Sequence, residues 1–480
     1  TPVTLSQMQR YVVEGLPGVS AKLAKRLLEQ FKTVENVMTA EVEELKKVKG
    51  LGEIKAKEIL RQEIQNILYT IQEVQFDDEK KSVLTYYIEK DILGLGKIQP
   101  LMEDPNIEDI SCDGVGPIFI EHKVFASCET TLGFKKDDEL NEYAILLAER
   151  SGRPVTFRRP IVDATLPDGS RIQGTLATDI ARKGSNFSIR KFPKYPFTPT
   201  HILKYGTADI KTMAFLWTAV DYGCSALISG GTATGKTVFL NVLSLFIRPE
   251  MKIVSIEDTA ELRLPHPHWV PHVARVPIST EEGKRKGEVD LFDLLKESLR
   301  QRPDYVIVGE VRGKEAYVLF QQMAMGHPSL ATIHADTLEK LTNRLITPPI
   351  SLPPSLLESL DLIIFLTKMK YRGRYVRKVQ AIYEVIGFDT KEKKIKTNKI
   401  FEWDASEDKI KVKNKSVILG KIVKRTGISE KKIIEEMKRR MLILYWLKER
   451  DITDYRDVSR VFGLYYDFPD KVLDIISGEV

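Results

Sequence analysis

The chain has 480 residues, of which 42% are hydrophobic and 29% are charged, and its formal net charge is +6 at pH 7. This length predicts roughly three or four domains, and the apolar content is ample for ordinary globular cores. The net charge is small for the length, so bulk electrostatics do not indicate a nucleic-acid partner.

The three cysteines, Cys112, Cys128 and Cys224, are far apart and form no C-x-x-C pattern. We therefore expect a reducing compartment, no disulfide framework and no zinc site. Because no apolar run approaches about 18 residues, we expect no transmembrane helix. We also expect no signal peptide.

Residues 1–62 contain a near-repeat of a glycine turn followed by a helical pattern. The turn at 15–19 precedes a helical pattern at 21–28, and the turn at 48–52 precedes another at 56–60. This segment resembles a tandem helix-hairpin-helix module. In that family the backbone N–H groups of the hairpins contact DNA phosphates. Alternatively, this segment packs simply as a small α domain or serves as a protein-docking unit.

Residues 63–191 are predicted to form an N-terminal α/β domain with leading helices. The stretch 63–100 has a mixed polar and apolar helical pattern, and 140–151 is a predicted helix. Residues 107–125 indicate two short strands around a glycine-rich turn, and 155–189 indicate several strands with a tight turn at 166–171.

A proline-rich linker is predicted over 192–204. Pro193, Pro196 and Pro199 fall within seven residues, and proline continues neither a helix nor a central strand. We therefore expect an extended segment here and place a domain boundary in it. Such a linker suits two domains that move against each other, and equally a static spacer.

The stretch 229–237 fits the phosphate-binding pattern G-x-x-x-x-G-K-[ST]. An apolar strand at 226–228 leads into it and an apolar helix at 238–247 leads out of it, as this motif requires. Glycines let backbone N–H groups surround a phosphate, and the helix N-terminus favours an anion. Lys236 would reach the β- and γ-phosphates of ATP, and Thr237 would hold Mg²⁺. The alternative is a glycine-rich turn with an incidental lysine. The predicted nucleotide-binding residues are Gly230, Gly231, Thr232, Ala233, Thr234, Gly235, Lys236, Thr237 and Val238.

Residues 205–367 alternate strands and helices, which predicts a parallel sheet covered by helices. Three apolar strands end in polar residues. They are 253–256 before Glu257, Asp258 and Glu261, 305–308 before Glu310, and 330–333 before His334. Parallel α/β folds bind ligands at the carboxyl ends of their strands. The acidic residues could instead form a helix N-terminal cluster, and each histidine could instead be a core or turn residue.

Residues 368–480 are predicted to form C-terminal strands and a helical domain. The basic run at 368–378 is most simply a solvated face. Strands are expected at 379–388 and 396–403. Amphipathic patterns over 416–480 predict a small all-α end domain.

Taken together, the motifs resemble those of the ATPases of type II secretion, type IV pili, the archaellum and type IV secretion. The resemblance covers about residues 85–480, and the archaeal branch of the GspE kind is the best match. Four boxes occur in the family's order: the phosphate loop, an aspartate box at 256–261, a Walker B region at 300–312, and a histidine box containing His327 and His334. The turn at 166–171 and the stretches 401–404 and 451–455 also resemble family features. The absence of any cysteine after Cys224 departs from the zinc insertion of bacterial secretion members and favours the archaeal branch.

The resemblance implies a RecA-like P-loop ATPase core preceded by a small α/β domain, with the helix-hairpin-helix segment as an addition. It implies that Glu261 is the general base. Glu310 would act on Mg²⁺ and its waters, because the usual Walker B aspartate position carries Gly309. His327 and His334 would sense the γ-phosphate or link neighbouring subunits.

Three arginines are implied to be delivered to the nucleotide by the preceding domain. They are Arg171, Arg182 and Arg190. An arginine supplied in this way contributes on the order of 10³-fold or more to phosphoryl transfer. The alternative is a basic stretch that is only solvated.

The predicted function is therefore a Mg²⁺-dependent ATPase motor that forms a homo-oligomeric ring, expected to be a hexamer. It would be cytoplasmic and peripheral at the inner face of the membrane. It would power secretion or filament assembly through a polytopic inner-membrane protein, with ATP and Mg²⁺ as cofactors. One alternative is a DNA-transfer or DNA-uptake motor that grips DNA through residues 1–62. A third is a nucleotide-binding scaffold without turnover.

Overall fold

A computed structural model describes residues 21–31, 77–177, 179–192, 195–275 and 289–479. The chain divides into two compact units, Thr1–Ala164 with Ile172–Lys191 and Thr165–Arg171 with Phe192–Val480. The predicted glycine turns at 15–19 and 48–52 and the helical pattern at 56–60 lie outside the described residues. Among the described residues, every helix is too short or too polar to cross a bilayer.

The first unit is built around a six-stranded sheet. Its elements are α1 (Ala21–Phe31), α2 (Asp78–Ile92), a 3₁₀ turn (Gly96–Ile98), α3 (Gln99–Glu103), β1 (Ile107–Cys112), β2 (Gly116–His122), β3 (Ala126–Phe134), α4 (Asp137–Arg150), β4 (Ile161–Thr165), β5 (Arg171–Thr175) and β6 (Asn186–Arg190). The strand order is β3-β2-β1-β6-β5-β4, and the β1–β2, β2–β3 and β1–β6 pairs are antiparallel. Helix α4 packs on this sheet and buries Leu140 and Leu147.

Two details of this unit differ from the expectation. The two strands predicted over 107–125 are followed by a third, β3, which the prediction did not include and whose first six residues alternate between half-buried and exposed. Helix α4 begins at Asp137 rather than at residue 140. Its first turn holds Asp137, Asp138 and Glu139, and negative charges are favourable at a helix N-terminus.

The parallel part of the second unit alternates strands and helices, as predicted. Its elements are α5 (Pro199–Lys204), α6 (Ile210–Asp221), β7 (Ala226–Gly230), α7 (Lys236–Ser244), β8 (Ile253–Glu257), β9 (Trp269–Val273), α8 (Leu291–Ser298), a 3₁₀ turn (Leu299–Gln301), β10 (Tyr305–Val311), α9 (Glu315–Ala324), β11 (Ser329–Ile333), α10 (Leu338–Ile346), α11 (Pro354–Leu357) and β12 (Leu362–Tyr371). Strands β12, β7, β11, β10, β8 and β9 are parallel neighbours in that order.

Both faces of this sheet are covered. Along β7, Ala226 and Ile228 belong to one buried apolar cluster, whereas Leu227 between them belongs to another. Since successive side chains of a strand point to opposite faces, a hydrophobic core lies on each side of the sheet. The ligand-binding edge is then the one at which the parallel strands end.

The C-terminal elements continue the same body. They are β13 (Arg374–Asp389), β14 (Lys394–Asp404), β15 (Lys409–Val412), α12 (Val417–Thr426), α13 (Glu430–Glu449), α14 (Tyr455–Asp467) and α15 (Pro469–Glu479). Strands β13, β14 and β15 extend the parallel sheet in antiparallel fashion from β12 to make nine strands. The C-terminal helices are present as predicted, but the boundary placed at 367/368 falls inside β12.

These helices share the hydrophobic core of the parallel sheet rather than enclosing a core of their own. Phe462 of α14 packs on Trp217 of α6 with ring centroids 4.3 Å apart, and both belong to the apolar cluster that contains Ile228. Residues beyond 367 therefore complete the core.

The predicted linker over 192–204 is also shorter than expected. Helix α5 begins at Pro199, with Thr198 before it as the N-cap residue. Proline is tolerated in the first helical turn because its missing N–H would have no partner there. Pro199 therefore starts a helix instead of prolonging the extended segment.

Candidate functional site

The loop between β7 and α7 has the backbone that the phosphate-binding motif requires. Gly235 has φ of +88° and directly precedes α7, a left-handed conformation that glycine adopts without strain. A Cβ on Gly230 would lie 2.5 Å from the carbonyl oxygen of Leu366. The fixed glycines are thus explained by the fold, and the loop ends at a helix N-terminus that favours an anion.

Lys236 lies inside this loop and is only 8% exposed. Its Nζ donates to the carbonyl oxygen of Gly231 at 2.7 Å and lies 3.3 Å from Nδ1 of His334. An ammonium can only donate, so Nδ1 of His334 is the acceptor and the ring proton sits on Nε2. The sequence placed these two residues at the ends of neighbouring strands, and the structure brings them into contact.

His334 in turn contacts Glu310. Its Nε2 lies 3.2 Å from Oε1 of Glu310, so the neutral ring donates to the carboxylate while accepting from Lys236. Partial burial and the charge of Lys236 lower the pKa of His334 below its ordinary value. The imidazole is therefore neutral at pH 7 and links the loop lysine to the acidic residue of β10.

Glu310 is held as a carboxylate. Burial opposes ionisation, but the hydrogen bond and charge of Arg312 and, more weakly, the charge of Lys236 lower the pKa of Glu310 below its ordinary value. Nη2 of Arg312 lies 2.6 Å from Oε2 of Glu310, and its Nη1 lies 3.5 Å from Asp258. Burial raises the pKa of Asp258, and the charges of Arg312 and, more weakly, Arg171 oppose this rise.

The acidic residues after β8 have separate tasks. Glu257 is 2% exposed, and its Oε1 accepts the backbone N–H groups of Glu261 and Leu262, both at 3.0 Å. A Cβ on Gly309 would approach Cγ of Glu257 to 3.2 Å. The glycine at the usual aspartate position thus makes room for Glu257, and Glu257 fixes the backbone that presents Glu261.

Replacing Glu257 with glutamine is expected to change how stability depends on pH. Burial raises the pKa of Glu257 from an ordinary 4.5 to about 7, despite the two backbone hydrogen bonds. The raised pKa therefore makes its full contribution to the free energy of unfolding below pH 4.5. That contribution is lost as the pH rises through 7. At about 1.4 kcal/mol per pKa unit, the loss approaches about 3 kcal/mol.

The melting temperatures of the two proteins at pH 5 and pH 8 test this prediction. The melting temperature of Glu257→Gln minus that of the wild type should be larger at pH 8 than at pH 5. For Glu435→Gln, at an exposed position, this difference should be the same at both pH values. A difference between wild type and Glu257→Gln that is the same at both pH values would contradict the assignment.

The structure does not bring His327 to this cluster. His327 precedes β11 and His334 follows it, so the two histidines stand at opposite ends of one strand, roughly 20 Å apart. The two histidines therefore do not form one cluster beside Lys236, and a role for His327 at the γ-phosphate stays a prediction. The other predicted role, a contact with a neighbouring subunit, stays a prediction.

Arg182 and Arg190 lie in the first unit. Arg182 is exposed in the turn before β6. Arg190 is the exposed last residue of β6, and its Nε lies 3.6 Å from Oδ1 of Asp109 on the paired strand β1. Their delivery to the nucleotide stays a prediction.

Sequence reasoning missed Arg377. It lies in the basic run predicted as a solvated face, yet its Nε donates to the carbonyl oxygen of Ala233 in the phosphate loop at 3.0 Å. Its neighbour Lys378 is buried, where it pairs with Asp408 and donates to Gly206. No local signal marks Arg377, because the contact arises only from the pairing of β12 with β7 and of β13 with β12.

Thr237 and Glu310 are the candidates to hold Mg²⁺. Mg²⁺ is commonly held by one or two protein oxygens together with nucleotide phosphates and water. The hydroxyl of Thr237, next to the loop lysine Lys236, and the ionised carboxylate of Glu310 fit such a set.

The family described as Type II/IV secretion system protein matches residues 92–398, and the SAM-like helix-hairpin-helix tandem family matches residues 12–65. The chain belongs to the type II/IV secretion family. As a member of this family it is an ATP-hydrolysing enzyme that binds ATP in a RecA-like core. The predicted fold class and enzyme class are thereby confirmed, and so is the presence of a helix-hairpin-helix module at the N-terminus.

Individual relatives agree with the family assignment. MJ0900, an uncharacterized protein of Methanocaldococcus jannaschii, is 38% identical over 398 residues, which are 82% of this chain and 71% of that protein. Protein VirB11 of Agrobacterium fabrum is 29% identical over 269 residues, covering 49% of this chain and 75% of VirB11. The crystal structure of the pilus retraction motor PilT with ADP is 15% identical, covers 74% of this chain and 92% of PilT, and has a TM-score of 0.41. That structural likeness is too weak to carry an argument about the site, whereas the M. jannaschii relative agrees with the archaeal branch of the family.

Proposed function

We propose that the protein is a Mg²⁺-dependent ATPase motor that powers protein secretion or the assembly of a pilus-like or archaellum-like filament. The observation that carries this proposal is the contact chain from Lys236 through His334 to Glu310. It joins the phosphate-binding loop to the ends of two neighbouring strands. A phosphate that binds Lys236 would change the contact between Lys236 and His334. Because Nε2–H of His334 donates to Glu310, the position of the Glu310 carboxylate would change as well.

Within this proposal each residue has one task. Lys236 and the loop amides bind the phosphates. Glu261 accepts the proton of the attacking water, and Glu257 holds its backbone in place. Thr237 and Glu310, the latter partly through water, would hold Mg²⁺, which neutralises charge on the β- and γ-phosphate oxygens when bound.

ATP hydrolysis by the purified chain tests the motor against a scaffold without turnover. We expect release of phosphate that requires Mg²⁺ and stops on chelation. Glu261→Gln should retain ATP binding and lose at least about 10²-fold in kcat, since general-base catalysis contributes about 10²- to 10⁴-fold. A wild-type protein that binds ATP but releases no phosphate would support the scaffold.

Arg190→Ala is expected to preserve ATP binding and to reduce kcat, by on the order of 10³-fold if its guanidinium stabilises the transition state. The same substitution also breaks the ion pair with Asp109. Asp109→Asn is the matched control, because it breaks that ion pair and leaves Arg190 in place. Equal losses of kcat in the two variants would assign the effect to the ion pair and remove Arg190 from the site.

We propose a ring of identical subunits, a hexamer, that acts on a polytopic membrane protein from the inner face of the membrane. The predicted arginines and His327 give such a ring groups that could act between subunits. Light scattering with Mg²⁺ and a non-hydrolysed ATP analogue should show a six-subunit mass. A monomer under all nucleotide conditions would contradict the ring.

A DNA-transfer or DNA-uptake motor is the second candidate, and the helix-hairpin-helix match at 12–65 favours it. Backbone amides and lysines that contact phosphates would bind duplex DNA with an affinity that falls steeply with salt. The full chain should then bind duplex DNA at low salt, and a chain lacking residues 1–62 should not. Equal binding by both, or none by either, would leave the secretion motor.

A further inference from the structure

A pocket of about 420 Å³ lies beside the phosphate loop, within the second unit. The first half of the loop, including Gly231, forms one wall. The segment after β11, beginning at His334, forms the other, together with Lys340 and Arg344 of α10. The second half of the loop, which leads into α7 and carries Lys236, is not part of the lining. The pocket therefore shares Gly230, Gly231 and Thr232 with the predicted nucleotide site and extends beyond it to Lys340 and Arg344.

Lys236 stands at the boundary between the two. Its Nζ contacts Gly231 and His334, and both of these residues line the pocket. A γ-phosphate bound by this ammonium would be next to the pocket. A phosphate cleaved from ATP at Lys236 would therefore have this pocket beside it.

The charges of the pocket favour an anion. Lys340 pairs with Asp336 at 2.9 Å, so these two charges compensate each other. Arg344 is half-buried, and its Nη1 donates to the backbone carbonyl of His334 at 3.3 Å, which is a neutral acceptor. Among the described residues Arg344 forms no ion pair with a carboxylate, so within this part of the chain its guanidinium charge stays available to an anion.

We propose that this pocket binds the inorganic phosphate released by hydrolysis, with Arg344 as its charged ligand. This inference rests on the proposed ATP site. In that reaction water adds to the γ-phosphorus, the bond to the β–γ bridging oxygen breaks, and ADP keeps that oxygen. The free phosphate carries one or two negative charges near pH 7, and a guanidinium matches its oxygens with two N–H donors. Phosphate would leave Lys236 for Arg344 while ADP remains on the loop.

Product inhibition tests the pocket, with inorganic phosphate as the probe. In the wild type, phosphate should inhibit steady-state ATP hydrolysis. Arg344→Gln should raise the Ki for phosphate by about tenfold or more, while the KM for ATP and the Ki for ADP change less than about threefold. Arg344→Lys should fall between the two. Arg460→Gln, which removes an exposed arginine of α14, should leave all three constants unchanged.

Three results would overturn the proposal. They are an unchanged Ki for phosphate in Arg344→Gln, an equal rise of all three constants, and weakened self-association in this variant with no inhibition of the wild type by phosphate. The last result would assign the pocket to a contact between copies of the chain. If Arg344→Gln does not fold, the comparison of wild type with Arg344→Lys decides, and an equal Ki for phosphate in these two proteins would refute the guanidinium of Arg344 as the phosphate ligand. A wild type that does not hydrolyse ATP refutes the proposed function instead, and the phosphate pocket can then be tested by the shift in wild-type melting temperature with phosphate against chloride at equal ionic strength.

Discussion

Lys236→Ala is expected to abolish measurable ATP hydrolysis, with a loss in kcat of at least about 10²- to 10³-fold. The side chain is buried in the phosphate loop, and its ammonium contacts the loop carbonyl of Gly231 and the ring of His334. Alanine removes the charge that would face the β- and γ-phosphates and also disconnects the loop from His334. A phosphate-release assay at saturating Mg²⁺ and ATP measures the effect.

Two comparisons make this result specific. Lys431→Ala removes an exposed lysine at the start of α13 and should retain full activity. The melting temperature of Lys236→Ala should stay close to that of the wild type, because the hydrogen bonds of Nζ to Gly231 and His334 are worth about 1 kcal/mol each. Turnover within about threefold of the wild type would show that Lys236 does not act on the phosphates.

Arg440→Ala is expected to destabilise the second unit by about 3–5 kcal/mol, the cost of breaking a buried ion pair from one side. Arg440 of α13 and Asp221 of α6 are 2% and 1% exposed at their side chains, and they form a direct ion pair. Nη1 of Arg440 also donates to Thr218, and its guanidinium lies over the ring of Trp217 at 5.2 Å. Alanine would leave the carboxylate of Asp221 buried with Arg248 as its remaining ionic partner.

Unfolding in urea measures this loss, and the adjacent residue supplies the control. Arg439 is exposed, and its Nη1 lies 3.5 Å from Asp470. Arg439→Ala should therefore change stability by less than about 1 kcal/mol. The double variant Asp221→Asn with Arg440→Met should lose less than the sum of the two single changes, because neither charge is left unpaired. Additive losses would show that the pair is not coupled.

Local patterns were sufficient to predict the phosphate loop and the strands that deliver the site. Short stretches of sequence are enough to predict the strand before the loop, the helix after it and the polar strand ends at Glu310 and His334. In each stretch the residue types themselves indicate whether the segment is buried or polar. Parallel topology then brought those strand ends to one edge. Glycine at 309 could be recognised as a departure, but its cause, the close approach of Glu257, is a contact between two strands that the sequence does not display.

Contacts between distant segments could not be predicted in this way. Arg377 sits in a stretch whose composition is that of solvated surface, and only the strand order places it beside the loop. His327 and His334 fall in one sequence box, but a whole strand separates them, and the direction of that strand takes His327 to the other edge of the sheet. The C-terminal helices have amphipathic patterns that reveal a buried face but not which surface covers it.

The pairing of β12 with β7 determines where the chain of this ATPase can be truncated. Strand β7 is buried along its whole length and pairs with β11 on one side and β12 on the other. A chain ended before β12 would turn β7 into an open edge with unpaired N–H and C=O groups and an apolar surface on both faces. Such an edge invites pairing with other chains and aggregation. The segment from β12 onward therefore protects the edge of β7. Gene fusions or truncations that keep the four nucleotide boxes but remove this segment should yield insoluble protein.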